Sequence, residues 1–142
     1  MQRVEWSDKY SLGIEQIDEH HRRLLTLLNN TYDLFVGDGK QVAIEKVIDE
    51  LINYATYHFS SEEQLMSQIS YSQIEEHLKE HADFIQQIKT HQQDFYSGRK
   101  TLSLELIVFL QDWLLDHIFK IDKALAEVLV ERNMQGVRIE LE

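Results

Sequence analysis

The chain of 142 residues contains no cysteine and no proline, and only 5 glycines. Without cysteine it can form no disulfide, no thiolate zinc site, no iron–sulfur cluster and no cysteine nucleophile. Without proline, and with so little glycine, it has few helix breakers, so long uninterrupted helices are expected rather than a turn-rich β fold. Positive charge is also scarce: 14 Lys and Arg stand against 25 Asp and Glu, for a net charge of −11. Such a surface is repelled by nucleic acid and by anionic membranes, which excludes both as main partners. No apolar run approaches the roughly 20 residues of a membrane span, the longest apolar-rich stretch being Leu104–Leu110. The N-terminal segment around Glu5, Trp6, Ser7 and Asp8 has no apolar core of the signal-peptide kind, so a cytoplasmic chain is expected. What the sequence has in plenty is histidine, with 7 in all.

Four segments carry apolar residues at helical spacing. The first runs over about 15–36, with Leu24, Leu25, Leu28, Tyr32 and Phe35 on one face, and is broken at Gly37-Asp38-Gly39. The second covers about 41–68, with Ile44, Val47, Leu51, Tyr54 and Leu65 in phase. The third covers about 72–97, opened by the S-x-x-E pattern of Ser72 and Glu75 and carrying Ile74, Phe84, Ile88 and Phe95. It stops at Ser97-Gly98. The fourth covers about 101–133, with Leu106, Leu110, Trp113, Ile121 and Val128. Long helices joined by short loops predict an all-α, antiparallel up-down-up-down four-helix bundle. The expectation is one domain over residues 1–142, with an N-terminal arm and a short, loosely attached C-terminal tail.

Five histidines share the phase of the apolar stripes. His21 stands three before Leu24, and His58 four after Tyr54; His77 and His81 sit within the Ile74–Phe84–Ile88 stripe, and His117 stands four after Trp113. Glu62 follows His58 by four and precedes Leu65 by three, so it too faces inward. A single inward histidine is usually a satisfied core residue. Five beside a carboxylate are not, because burying a carboxylate costs several kcal/mol unless positive charge meets it. No Lys or Arg lies in phase with these stripes. Metal ions would supply the charge, and imidazole with carboxylate suits iron, manganese or zinc.

Individually the spacings say little, since H-x-x-x-E recurs by chance on many helices and H-x-x-x-H also serves zinc sites. The set across four helices is what points to metal. Two other metal architectures are absent. No histidine has Glu three residues before it, as the Glu-x-x-His carboxylate-bridged proteins require, and there is no H-E-x-x-H.

In this order along the chain, several segments resemble the hemerythrin family. They are Val4-Glu5-Trp6-Ser7; the stretch GIEQIDEHHRRL from Gly13 to Leu24; His58-Phe59-Ser60-Ser61-Glu62-Glu63, similar to HFxxEE; His77 to His81, similar to HxxxH; and Trp113 to Asp122, similar to WLxxHIxxxD. The resemblance implies a non-haem di-iron centre, oxo- or hydroxo-bridged, that binds O2 reversibly. It implies that His77, His81 and His117 hold one iron, that His21 and His58 hold the other, and that Glu62 and Asp122 bridge them. With both carboxylates bridging, three imidazoles complete one iron and two leave an open position on the other.

One departure concerns position 20, which is also His where relatives more often have Gln or Glu. By phase His21 is centred on the apolar face and His20 lies about 100° away, so His21 is assigned as the ligand and His20 is expected at the surface. His91, about 15 Å along its helix from His81, is expected at the edge of the core. Asp122 is five residues after His117, about 140° around an ideal helix. By spacing alone it reads as a surface residue. A one-residue widening, a π-bulge, would return it to the His117 face, and such an irregularity is predicted between them.

Leu24, Phe59, Trp113, Leu114 and Ile118 stand within a turn of the expected ligands and would wall an O2 pocket; each fits ordinary bundle core equally well. The function expected is O2 carriage, storage or delivery by a monomer rather than catalysis. The alternatives are O2 or redox sensing through a partner protein, or a di-iron oxidase or peroxidase.

Overall fold

The computed structural model describes residues 3–37, 40–97 and 100–140, without the side chains of 41, 94–96 and 100–103. The expected breaks at Asp38-Gly39 and Gly98, and the face position of Phe95, fall outside the described residues.

Four long helical rods account for most of the chain: α1 (Glu15–Val36), α2 (Gln41–Gln68), α3 (Ile74–Tyr96), and a last rod made of α4 (Lys100–Asp116), a π-helical segment (His117–Asp122) and α5 (Lys123–Glu131). The last rod is unbroken, since Asp116 and Lys123 on either side of the π segment both keep right-handed helical dihedrals. Helix α1 packs on α2 and α4, and α3 packs on the same two, so the rods form a square antiparallel four-helix bundle. Helix α3 starts later than the Ser72–Glu75 pattern predicts: Ile74 N bonds back to Tyr71 O and His77 N to Gln73 O, which leaves Ser72 in the preceding turn.

The apolar stripes close into two separate cores. One gathers Leu24, Leu25 and Leu28 with Ile48, Leu51, Phe59, Phe84, Ile88, Leu106, Leu110 and Leu114. The other gathers Ile14, Ile17, Leu65, Met66, Tyr71, Leu125, Ala126, Leu129 and Ile139. On every helix the sequence passes from one core to the other through the positions of the inward histidines and acids. The bundle therefore holds a polar layer between two apolar plugs, each buried large side chain contributing about 1.5–3 kcal/mol.

Both terminal segments are fastened to α1 by side chains that read backbone. Asn29 accepts from Val4 N and donates to Val4 O, each at 2.9 Å. Gln16 does the same for Ile139, donating to its O at 2.6 Å and accepting from its N at 2.7 Å. Arg138 adds an ion pair with Glu19 at 2.8 Å. Ile139 is only 4% exposed. The expectation of a loosely attached tail is thus corrected for residues 136–140: Val137 and Ile139 dock on the second core, and Gln16 satisfies the extended backbone between α1 and solvent.

Candidate metal centre

All five inward histidines and both carboxylates meet in the polar layer, and all seven are buried. Helix α1 brings His21; α2 brings His58 and Glu62 one turn apart; α3 brings His77 and His81 one turn apart; and the π segment brings His117 and Asp122 at its two ends. The extra residue per turn in that segment sets Asp122 beside His117, with Asp122 Oδ1 2.8 Å from His117 Nε2. The irregularity expected from the sequence is therefore present, and it spans the pair that needs it.

Every one of the five Nε2 atoms faces a carboxylate. His21 Nε2 is 2.8 Å from Asp122 Oδ2, and His58 Nε2 is 3.4 Å from both that atom and Glu62 Oε1. His77 Nε2 lies 3.1 Å from Asp122 Oδ1 and 3.4 Å from Glu62 Oε1, and His81 Nε2 lies 3.3 Å from Glu62 Oε1. Among the described residues these acids meet no Lys or Arg.

Only part of this proximity is hydrogen bonding: Asp122 Oδ2 accepts from His21 Nε2 at 2.8 Å and lies 3.4 Å from His58 Nε2. Glu62 Oε1 and Oε2, Asp122 Oδ1 and His77 Nε2 are buried without a hydrogen-bond partner, although imidazole nitrogens and carboxylate oxygens stand 2.8–3.4 Å apart. His81 Nε2 and His117 Nε2 approach to 3.3 Å, two ring nitrogens aimed at the same point. Orphaned buried polar atoms are rare because each costs about 1–3 kcal/mol. Atoms converging on common points, several of them left unbonded, are what cations between them would satisfy. The atoms fall into two groups, Glu62, His77, His81, His117 and Asp122 in one, and His21, His58, Glu62 and Asp122 in the other, each with its ligand atoms within 4.8 Å of one another. Glu62 and Asp122 belong to both. The residue types and the shared carboxylates fit a pair of metal ions.

The electrostatics agree. Burial pushes the Glu62 carboxyl up, and Asp122 beside it adds to that, yet His58, His117 and His77 hold it well below the usual range. Burial likewise raises the Asp122 carboxyl, and His117, His21 and His58 outweigh it. In return, burial pulls the two imidazoles down but the carboxylates win, lifting His77 to about 9 and His117 to about 10. The pocket is built for positive charge, and protons take that role where metal does not.

The expected pocket walls are placed as follows. Leu24, Phe59, Leu114 and Ile118 are buried. Phe59 stacks on His81 with centroids 4.0 Å apart and reaches His58 at 6.0 Å. Trp113 stacks on His117 at 4.4 Å and is half-buried rather than buried. His91 is half-buried against Phe109, at the core edge as expected.

His20 corrects the sequence reading. It is 6% exposed, not at the surface, and its Nδ1 lies 2.9 Å from His58 Nδ1. Burial, then His58, pushes its imidazole down to about 4. Helical phase does not reveal this, because α1 is buried over far more than one stripe: Gln16, Asp18, His20, Leu27, Asn29 and Thr31 are buried along with the apolar face. A helix gripping two neighbours and both terminal segments leaves little surface, and the polar residues at Gln16 and Asn29 were the available signal.

The family model described as "Hemerythrin HHE cation binding domain" matches residues 12–129. The chain belongs to the hemerythrin family. It is 34% identical over 122 residues to the bacteriohemerythrin of Stenotrophomonas maltophilia (strain R551-3), covering 86% of this chain and 78% of the relative. It is 32% identical over 123 residues to the bacteriohemerythrin of Clostridium acetobutylicum, covering 83% of this chain and 95% of the relative. A crystal structure of wild-type hemerythrin superposes with a TM-score of 0.78 at 26% identity, over 89% of this chain and 97% of that one. Hemerythrin membership accounts for the bundle and for a cation-binding layer within it.

Proposed function

We propose that His77, His81 and His117 hold one iron ion, that His21 and His58 hold a second, and that Glu62 and Asp122 bridge the two, so that the chain binds O2 reversibly for carriage, storage or delivery. The observation that carries this reading is the sharing of both carboxylates by two converging ligand groups. Bound there, iron would supply the electrons and the open coordination position that O2 uptake needs.

The chain's own residues do the rest. Five imidazoles against two carboxylates divide unevenly, three to one group and two to the other, so the His21/His58 side is the one left short of a ligand. Leu24, Phe59, Leu114 and Ile118, buried around the layer, keep water and its protons away from it, and Trp113 closes the His117 side. The two apolar cores above and below the layer act as stoppers. These features suit a binding protein rather than an enzyme. Among the described residues no helix is long and apolar enough to cross a membrane; a cytoplasmic monomer is the placement we propose with this function.

Anaerobic loading with ferrous iron, followed by repeated addition and removal of O2, tests the reading. A visible band that rises and falls with O2 supports a carrier or store. Irreversible bleaching with turnover of a reductant supports an oxidase or peroxidase instead, and absence of iron uptake overturns both.

A further inference from the structure

A sixth histidine of the polar layer, His20, belongs to neither ligand group, yet it makes the shortest polar contact to His58. His20 Nδ1 and His58 Nδ1 are 2.9 Å apart, with the rings nearly perpendicular at 84°. The other nitrogen of His58, Nε2, faces Glu62 and Asp122. A neutral imidazole carries one proton and one lone pair. If the His58 lone pair is to serve the metal layer from Nε2, its proton sits on Nδ1. A proton there, 2.9 Å from another nitrogen, needs a lone pair opposite it. His20 must then accept at Nδ1 and keep its own proton on Nε2, because protons on both Nδ1 atoms would collide. One hydrogen bond thus fixes the tautomer of both rings.

His20 is itself held in place. Its ring meets the edge of Tyr54 at 79° with centroids 5.8 Å apart and packs on Tyr57 at 5.5 Å. Of the other four inward histidines, only His81 is hydrogen-bonded from behind, donating from Nδ1 to Glu63 Oε2 at 3.0 Å; Glu80 Oε1 stands behind His117 Nδ1 but at 4.0 Å. The Nδ1 atoms of His21, His77 and His117 are buried without a hydrogen bond. Each ligand group therefore contains one imidazole steered from behind, by a carboxylate in one group and by a neutral ring in the other.

We propose that His20 is a positioning residue: by accepting the His58 Nδ1–H bond it holds His58 Nε2 towards Glu62 and Asp122 and secures metal in the His21/His58 group. The inference rests on the metal reading above. His20→Leu fills similar space without an acceptor, whereas His20→Gln can still accept through Oε1. Two measurements test it. The first is long-range 15N–1H NMR of the wild-type chain, metal-free and Zn(II)-loaded. In the loaded chain His58 should be protonated on Nδ1 and His20 on Nε2; a proton on His20 Nδ1 would overturn the proposal. The second is the rate at which the iron-loaded chain yields metal to a ferrous chelator. His20→Leu should hold part of its iron about 10–100-fold less tightly, the affinity that removal of such outer partners typically costs, and so yield it faster, and His20→Gln should stay close to wild type. Equal retention by all three chains overturns the role of His20 while leaving the centre intact. Failure of wild type to hold metal overturns the centre itself, and the metal-free spectrum then decides whether the His20–His58 bond stands. Should His20→Leu not fold, loss of metal by His20→Gln at the same accelerated rate would refute the acceptor role.

Discussion

His21 Nε2 stands 2.8 Å from Asp122 Oδ2, across 101 residues of chain, with both side chains fully buried. The contact ties the first helix to the last and places a carboxylate where no lysine or arginine reaches it. Asp122 also faces His58, His77 and His117, so a single side chain serves both ligand groups. Asp122→Ala should therefore cost the chain both of its ions, not one. In the metal-free chain it should also lower stability by a few kcal/mol, because it strips a buried charge from its partners. Iron analysis and urea unfolding read the two effects; wild-type iron content in Asp122→Ala would contradict the bridging role.

The π segment from His117 to Asp122 absorbs one extra residue while keeping the helix on either side in phase. Deleting that residue should leave the site intact. Lys120 is the natural choice, being exposed and paired with Asp116 across one turn, a contact contributing a few tenths of a kcal/mol. Without Lys120, His117 and Asp122 become four apart on a regular α-helix and still share a face. An alanine inserted after Lys120 instead turns Asp122 by about 100° out of the layer. The deletion should retain iron and the insertion should abolish it. Loss of iron from both alike would show that the π geometry itself, not the phase it sets, is required.

Protons and metal compete for the same atoms. His77 and His117 titrate at about 9 and about 10 in the metal-free fold, above the ordinary 6.5. Their contribution to stability is complete below pH 6.5 and is lost as pH rises through 9 to 10. Glu62 and Asp122 are held below their ordinary 4.5 and 3.8, so their contribution is present above those values and is lost on acidification. His20, held down to about 4, acts the other way: the unfolded chain takes up its proton below pH 6.5 and the folded chain does not, so acidification below 6.5 costs stability. The metal-free chain should therefore be most stable at about pH 6 and should weaken towards pH 9. Iron affinity should rise over that same alkaline range, since binding displaces the protons. Urea midpoints with and without a chelator measure this; a metal-free chain that grows more stable from pH 7 to pH 9 would contradict it.

Leu114 is buried one turn before His117 and belongs to the first core. Leu114→Asn should admit water to the layer and accelerate loss of the reversible O2 response in the iron-loaded chain. The same change should cost about 2–5 kcal/mol of stability, in the range of large core truncations. The two readouts separate the roles: lost stability with an unchanged oxidation rate would mark Leu114 as packing alone.

The bundle could be read from the sequence because its helices are long, proline-free and periodic, and because the histidines fall in step with the leucines. His21, His58, Glu62, His77, His81 and His117 follow from that phase. Asp122 does not, because ideal helical geometry turns it away and only the resemblance of the Trp113–Asp122 segment brought it in. The burial of His20 and the docking of the tail escape the sequence pattern for one shared reason. Helical phase counts apolar residues, whereas α1 buries polar ones too: Gln16 and Asn29 to hold extended backbone, and His20 to meet His58. Polar burial of this kind is decided by what the partner segment offers, and the pattern of a single helix does not record it.

The most direct test of the account is the iron content of the anaerobically loaded chain taken together with its visible spectrum through cycles of O2. Two iron ions per chain, one for each ligand group, and a band that returns unchanged over successive cycles are the predicted result. One iron per chain, or none, or a band that forms once and does not reverse, would contradict it.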